Sequence, residues 1–319
     1  MNSLNYNQKI AIVIPYYNAS KQITRVVSKI PSFINLVIIV DDKSKESLPK
    51  KEILKSLKEQ TNCVFLENKI NLGVGGATKH GFNYAISNDI DIVIKVDADD
   101  QMDLSYIPEL LSPIVTKEVS MTKGNRFKDF TALKKMPFLR KFGNLGLSFL
   151  TKVATGYWHN FDPTNGFLAI KTSTLKKIDF SKINDRYYFE TSLLSQLYFE
   201  DIVIEDISMP AIYGDEKSNM NVFKMFFVFS KNLTKTFIKR IIKRYFLYDF
   251  NIGSLYILIG IPLFLFGVIF GVYNWYYYSS NDTFTPTGTI MIITISIILG
   301  FQLILQAIQV DILNAPNKK

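Results

Sequence analysis

DIVIKVDADDQ, at residues 91–101, is the stretch that decides the predicted fold. Its apolar, mostly β-branched run ends in the acidic sequence Asp97-Ala98-Asp99-Asp100, which is typical of a buried strand followed by a polar loop. Three earlier runs, KIAIVIP, LVIIVDD and CVFLEN, have the same character, and helical stretches at 23–30, 51–60 and 77–87 lie between the runs. Apolar strands alternating with helices predict an α/β domain whose mainly parallel sheet is covered on both faces.

Ligands of such sheets bind beyond the carboxyl ends of the strands. Asn18 follows the first predicted strand, Asp42 follows the second, and Asp97 and Asp99 follow the fourth. An Asp-x-Asp pair at a strand end can hold a divalent cation through hard oxygen ligands, and such a cation can bridge the phosphates of a nucleoside diphosphate. Taken alone, the pair is more often a solvated turn. Its place after an apolar strand, downstream of the acidic strand end VDDKS, favours the metal site.

A glycine-rich segment, NLGVGGATKHG, precedes the third helical stretch. Its glycines, Gly73, Gly75 and Gly76, could let the backbone approach a phosphate, or they could make a tight turn. They do not form the dinucleotide-binding fingerprint in its usual place after the first strand.

Two uncharged runs, at 252–273 and 288–310, are each long enough to cross a bilayer core, which takes ~20 apolar residues. The segment between them carries Trp275 and three tyrosines, which suit the aromatic belt of a membrane interface. The alternative is a pair of buried core helices. The loop has no Lys or Arg, whereas both flanks are basic, so the positive-inside rule predicts a cytoplasmic N-terminal domain.

A basic segment precedes the first run and accounts for most of the net charge of +9. Lys231, Lys235, Lys239 and Lys243 recur every fourth residue, and Leu233, Phe237, Ile241 and Tyr245 follow the same spacing two positions on. This pattern predicts an amphipathic helix that lies on an anionic leaflet. The alternative is a solvated helix packed on the catalytic domain. Beside a membrane span, the basic patch is better explained by phospholipid than by nucleic acid.

Four regions are predicted: a nucleotide-binding domain at 1–220, a basic amphipathic juxtamembrane segment at 221–249, a two-helix transmembrane region at 250–311 and a cytoplasmic tail at 312–319. Cys63 is the single cysteine, so an intrachain disulfide and a cysteine metal site are excluded. The N-terminal sequence has no signal-peptide pattern and is interpreted as a first strand. Two lone spans would pack more easily in a homo-oligomer.

The segments IVIPYYN, IIVDDKS, NLGVGGATKHGFNYA and KVDADDQ, in this order, resemble family 2 glycosyltransferases of the GT-A fold. The resemblance covers roughly residues 8–220. The sequence at 97–101 is similar to the Asp-Ala-Asp-x-Gln motif of the branch that includes dolichyl-phosphate mannose synthase and polyprenyl-phosphate glycosyltransferases. The resemblance implies a UDP- or GDP-sugar donor, Mg²⁺ or Mn²⁺, and a polyprenyl phosphate acceptor at the membrane.

The resemblance also implies roles for individual residues. The nucleotide-sugar would contact Pro15, Tyr17, Asn18, Asp42, Asp97 and Ala98, although the branch usually has Glu where this chain has Asn18. Metal and diphosphate would be bound by Asp97, Asp99 and Gln101. The acceptor would be held by Arg126, Arg140, Asn144, Asp162 in DPTNGF, and Lys217. Asn144 stands where a serine is more usual, and Lys217 belongs to a segment that departs from the family pattern.

Three functions are compatible with these residues. A lipid phosphate is largely ionised at neutral pH and can attack without a general base, so Arg126, Arg140 and the metal ligand Asp99 would carry an inverting transfer. A sugar hydroxyl of a lipid-linked glycan or envelope polymer would need a base. Glu190 is the candidate for that base, although it could equally be a carboxylate that stabilises a helix start. A non-catalytic membrane scaffold is disfavoured because Asp97, Asp99 and Gln101 are all retained.

Overall fold

The structure is a computed structural model that describes residues 7–117, 119–127, 138–210 and 222–317. For 138–142, 144 and 222–226 it describes the backbone alone. The chain divides into two compact units, one formed by Met1–Phe237 with Pro316–Lys319 and the other by Ile238–Ala315.

The described part of the first unit forms a seven-stranded mixed sheet with the order β3-β2-β1-β4-β6-β5-β7. Its strands are β1 (Ile10–Tyr16), β2 (Leu36–Asp41), β3 (Asn62–Glu67), β4 (Ile92–Lys95), β5 (Met121–Asn125), β6 (Leu168–Lys171) and β7 (Ile204–Ser208). The four runs predicted as strands are β1 to β4, and all of them pair in parallel. β6 is antiparallel to both β4 and β5.

Helices cover both faces of this sheet. They are α1 (Ser20–Ser28), α2 (Lys50–Ser56), α3 (Val74–Ser87), α4 (Ile107–Thr116), α5 (Phe138–Thr155), α6 (Thr172–Leu175) and α7 (Phe189–Phe199). Alternate residues of β1 enter two different cores, because successive side chains of a strand point to opposite faces. Ile12 packs with α1 and α4, and Val13 packs with α3 and α7. The prediction of an α/β sheet covered on both faces is confirmed.

α8 (Val222–Ile242) continues into a π-helical turn at Lys243–Tyr248. Of the four lysines of the predicted cationic face, Lys231, Lys235 and Lys239 are exposed, whereas Lys243 is half-buried. The apolar positions do not form one buried stripe, since Leu233 and Tyr245 are buried whereas Phe237 is exposed.

The second unit contains two long apolar helices, α9 (Ile252–Ser280) and α10 (Thr287–Leu313). Their most apolar windows have mean hydropathies of 2.5 and 2.3, so both are long and apolar enough to cross a membrane. Glycines bring them close together: a Cβ at Gly267 would lie 2.9 Å from the backbone nitrogen of Ile297, and one at Gly300 would lie 2.5 Å from that of Phe264. Small residues permit this approach where no hydrophobic force drives helices together.

A buried ion pair lies within the second unit. The Arg240 guanidinium donates to both carboxylate oxygens of Asp311, at 2.6 and 2.9 Å, and the Tyr245 hydroxyl donates to the same carboxylate at 2.8 Å. The two charged side chains are 1% and 7% exposed. The pair therefore joins the end of α8 to the end of α10 and balances a charge that burial would otherwise make costly.

Candidate active site

A cavity of about 530 Å³ opens at the carboxyl ends of β1, β2 and β4. This is the edge at which an α/β sheet usually binds its ligands. The predicted donor-site residues among its lining are Pro15, Tyr17, Asp42, Asp97, Ala98 and Asp99. These six residues come from three separate segments of the sequence and line one concave surface.

Asn18 and Gln101 were predicted for the same site but are not among the residues that line the cavity. Asn18 has a left-handed backbone, with φ of 50°, and its side-chain oxygen accepts the Lys45 N–H at 2.9 Å. The Gln101 N–H donates to Asp99 Oδ1 at 3.1 Å. Both residues therefore shape loops that border the cavity.

Asp42 fixes the glycine-rich loop. Its buried carboxylate accepts the N–H groups of Leu72 at 2.9 Å and Gly73 at 2.7 Å, and the Asn68 amide at 2.8 Å. Gly73 has φ of 93°, a conformation that favours glycine. The tight turn is therefore present, and Gly73 also lines the cavity. A phosphate contact through these glycines stays a prediction.

Lys95 lies at the centre of a charged group that it forms with Asp97 and Glu190. This last residue of β4 is 1% exposed, and its Nζ lies 2.7 Å from Asp97 Oδ1 and 3.3 Å from Glu190 Oε1. Burial lowers the pKa of Lys95, but the two carboxylates outweigh it and raise the pKa to about 12. Sequence reasoning missed this residue, although a lysine interrupting an apolar strand two positions before Asp97 was a usable signal.

Glu190 stands at the start of α7 and is largely buried. Burial raises its pKa above the ordinary value, Lys95 opposes the rise, and the negative charge of Asp97 adds to it. The carboxylate therefore shares Lys95 with a residue of the Asp-Ala-Asp motif, which brings it into the same charged group.

The residues present fit a divalent cation whose coordination shell is completed by other ligands. Asp97 and Asp99 offer hard carboxylate oxygens to the same cavity. Within the described residues, no group of three or more His, Cys, Asp or Glu side chains forms a site for a metal on its own. Mg²⁺ is commonly held by one or two carboxylates together with waters and substrate phosphates, so two carboxylates suffice.

A second charged group lies around Arg126, just after β5. The guanidinium donates from Nε and Nη2 to the two oxygens of Asp162, both at 2.7 Å, and the Arg126 backbone N–H adds a third bond. Asp162 is buried, with a φ of 54°, whereas Arg126 is 38% exposed. Burial raises the pKa of Asp162, but the hydrogen bonds and charge of Arg126 outweigh it, so the pKa lies below the usual range.

Two lysines that sequence reasoning missed support this group. The buried Lys123 ammonium donates to the carbonyl oxygens of Phe161 and Asp162. Lys152 of α5 donates to the Trp158 carbonyl at 2.9 Å and lies 4.0 Å above the Phe161 ring. Burial lowers the pKa of Lys152. The predicted acceptor residues Arg140 and Asn144 belong to α5, but their side chains lie outside the described residues, as does all of Lys217.

The sequence profile described as Glycosyl transferase family 2 matches residues 11–179. The chain belongs to this family. It is 31% identical to UDP-N-acetylglucosamine–dolichyl-phosphate N-acetylglucosaminyltransferase of Methanococcus voltae over 220 residues, which is 65% of this chain and 86% of the relative. It is 23% identical to undecaprenyl-phosphate mannosyltransferase of Micrococcus luteus over 182 residues, 56% of this chain and 73% of the relative. The predicted resemblance to the polyprenyl-phosphate branch is confirmed.

The fold of this family 2 member resembles that of glucosyl-3-phosphoglycerate synthase from Mycobacterium tuberculosis. That enzyme, solved with Mn²⁺, UDP and glucosyl-3-phosphoglycerate, superposes with a TM-score of 0.53 at 15% identity over 73% of this chain and 80% of the other. It has also been solved with Mg²⁺ and UDP. The predicted GT-A fold is confirmed, and so is the prediction that the chain is a glycosyltransferase, which removes the support for a non-catalytic scaffold.

Arg186 and Tyr187 are further residues of the cavity that sequence reasoning missed. Both line the cavity from the segment just before α7. The Arg186 side chain packs beside the turn at Gly73. Their position in RYYFE, next to Glu190, was the available signal, because a cation before a helix start at this edge of the sheet can face a phosphate.

Proposed function

We propose that this glycosyltransferase moves a sugar from a UDP- or GDP-sugar to a polyprenyl phosphate, with a divalent metal and with inversion of the anomeric carbon. The donor part of this proposal is supported by the cavity that Asp97 and Asp99 line together with residues at the ends of β1 and β2. The acceptor half is supported by two relatives whose names specify dolichyl phosphate and undecaprenyl phosphate.

On the donor side, Pro15, Tyr17, Asp42 and Ala98 would form the walls that hold the nucleotide. Asp97 and Asp99 would hold Mg²⁺ or Mn²⁺, with Gln101 keeping the Asp99 loop in place through its N–H. When bound, the metal neutralises charge on the diphosphate that departs. Arg186, which lines the same cavity, would add a second positive charge to the leaving group.

On the acceptor side, Arg126 would hold the lipid phosphate, and Asp162 would orient the guanidinium through its two 2.7 Å bonds. Arg140, Asn144 and Lys217 are proposed as further acceptor contacts. A phosphate monoester with a second pKa of ~6 is largely a dianion at neutral pH. Its oxygen can therefore form the new bond to the anomeric carbon as the bond to the diphosphate oxygen breaks on the opposite side, which inverts the configuration.

A second candidate function is transfer to a sugar hydroxyl of a lipid-linked glycan or envelope polymer. The observation in its favour is Glu190, a largely buried carboxylate that shares Lys95 with Asp97. Glu190 would take the hydroxyl proton, and Asp162 is the second candidate for this role. We prefer the phosphate acceptor because the names of the two relatives specify lipid phosphates.

The membrane arrangement is part of the proposal. The catalytic domain at 1–220 and the basic segment at 221–249 would lie on the cytoplasmic side, with the region at 250–311 crossing the bilayer twice and the tail at 312–319 returning to the cytoplasm. The exposed Lys231, Lys235 and Lys239 support contact with anionic headgroups. Association of two copies through the spans is also proposed, because two lone spans would pack more easily in a homo-oligomer.

The test is a donor screen with the full-length protein in detergent, in which undecaprenyl phosphate and a lipid-linked sugar are offered as alternative acceptors and products are identified by mass. We expect one UDP- or GDP-sugar to give a glycosyl phosphate lipid, and chelator to stop the reaction until Mn²⁺ or Mg²⁺ is restored. Asp99→Ala should abolish transfer. Asp100→Ala is the matched control, because that carboxylate bonds Lys29 at 2.6 Å and is not among the residues that line the cavity. Full turnover in chelator would refute the metal site, and transfer to hydroxyl acceptors alone would refute the lipid phosphate.

A further inference from the structure

The Lys95 ammonium is enclosed on all the sides that the structure describes. Asp97 Oδ1 lies 2.7 Å from it and Glu190 Oε1 lies 3.3 Å from it. Gly166, in DPTNGF, closes the remaining space: a Cβ there would overlap Lys95 Nζ and would lie 3.0 Å from Asp97 Oδ2 and 3.2 Å from Glu190 Oε1. The lysine, the two carboxylates and the glycine therefore form one packed group.

This packing determines how Asp97 can bind a cation. Oδ1 is committed to a short, charge-assisted hydrogen bond, so Oδ2 is the oxygen that Asp97 can offer. This bond occupies one lone pair of Oδ1 and fixes the orientation of the carboxylate, which favours cation binding through Oδ2 alone. Ca²⁺ accepts bidentate carboxylates and 6–8 oxygens at ~2.3–2.6 Å, whereas Mg²⁺ requires an octahedral shell at ~2.0–2.1 Å. One-oxygen ligation therefore suits the smaller cation.

We propose that Lys95 is a positioning residue that makes Asp97 a one-oxygen ligand and thereby makes the site prefer Mg²⁺ and Mn²⁺ to Ca²⁺. The inference rests on the proposed function, since it takes the metal to bind at Asp97 and Asp99. Glu190 contributes by holding the ammonium from the other side, and Gly166 contributes by leaving the ammonium just enough room.

The experiment measures Mn²⁺ and Ca²⁺ affinity by calorimetry on the full-length protein in detergent, with UDP in one series and GDP in another. Lys95→Met keeps a long side chain but removes the hydrogen bond to Asp97, which becomes able to bind through both oxygens. The change also removes a positive charge, and that effect cancels in the ratio of two affinities because both cations carry two charges. Loss of a group that orients a metal ligand costs roughly 10–100-fold in affinity, so we expect the Mn²⁺-over-Ca²⁺ preference to fall about tenfold.

Lys29→Met is the matched control. Lys29 bonds Asp100 beside the motif without contacting Asp97, so Lys29→Met removes the same formal charge and should leave the preference unchanged. An unchanged preference in a folded Lys95→Met protein would overturn the inference, as would an equal change in Lys29→Met. If Lys95→Met does not fold, Gly166→Ala replaces it. This variant keeps every charge but displaces the ammonium, so it should lower the preference too, and an unchanged ratio would overturn the inference.

Asp99→Ala separates this inference from the proposed function. If the wild type binds Mn²⁺ and Asp99→Ala does not, the metal site stands and the Lys95 variants alone decide the inference. If the wild type binds no Mn²⁺ with either nucleotide, or Asp99→Ala binds it equally well, the proposed metal site fails and the inference fails with it.

Discussion

Glu190→Gln distinguishes the two acceptor chemistries. The substitution changes the size of the side chain little, and the amide oxygen can still accept a hydrogen bond from Lys95, which lies 3.3 Å from Glu190 Oε1. The negative charge and the capacity to remove a proton are lost. Any large effect on rate must therefore come from one of those two losses.

The expected magnitudes differ widely. If the acceptor is an ionised phosphate, the change only replaces the charged acceptor of the Lys95 hydrogen bond with an uncharged amide oxygen, which costs about 1 kcal/mol. The Lys95 contact to Glu190 is also longer than the one to Asp97, at 3.3 against 2.7 Å. We therefore expect a loss of about fivefold in rate. If Glu190 is the base for a hydroxyl acceptor, the loss should be ~10²–10⁴-fold.

The assay follows initial rates of sugar transfer, between about pH 5 and 9, to whichever of the two acceptors the donor screen shows to be used. With a phosphate acceptor, the acid limb reflects the second phosphate ionisation near pH ~6 and should persist in Glu190→Gln. A catalytic Glu190 would be active above its raised pKa, so the rate would fall as pH drops through that value, and the variant would lose this limb. Glu67→Gln, an exposed glutamate that pairs with Lys43, is the matched control. A loss above about a hundredfold together with a missing acid limb would refute the phosphate acceptor.

Two stability predictions follow from the buried ion pairs. Asp162→Asn should lower the free energy of unfolding at pH 7 by less than the ~3–5 kcal/mol of a fully buried pair, because Arg126 is 38% exposed. The pKa of Asp162 is lowered in the folded protein, so this difference between wild type and variant is present above pH ~4 and shrinks as the pH falls through the pKa of the folded state. A series of thermal unfolding curves at different pH values would show this. Asp311→Ala should lower the free energy of unfolding by ~3–5 kcal/mol, because the buried Arg240 guanidinium loses the carboxylate with which it pairs. Arg240→Met combined with Asp311→Leu should lower it less. Equal melting temperatures for the wild type and Asp311→Ala in detergent would contradict this prediction.

Features that depend on local pattern could be predicted from the sequence. β1 to β4 are runs of apolar residues that fill both cores, so their composition was sufficient to place them. The same holds for α9 and α10, whose length and apolarity are properties of one continuous segment. The Asp-Ala-Asp motif was placed correctly at a strand end because parallel strands bring their carboxyl ends to one edge of the sheet.

Features that depend on distant partners could not be predicted. Lys95 and Glu190 are far apart in sequence, and the antiparallel insertion of β6 between β4 and β5 is not encoded in any single strand. Arg126 was predicted as a phosphate ligand from the family resemblance, which gave no sign that Asp162 accepts two of its bonds. Asp162 lies 36 positions further along the chain, so no local pattern joins the two residues.

The charges of the donor site explain why a nucleoside diphosphate would need a cation there. Asp42, Asp97, Asp99 and Glu190 carry four formal negative charges, and Lys95 and Arg186 carry two positive charges, so these described residues have a net formal charge of about −2. A diphosphate would be repelled by this group of residues, and the repulsion is strong because a protein interior screens charges less than water does. A divalent cation cancels this net charge. Lys95 is therefore essential to the balance, since without it one divalent cation would leave the group negative.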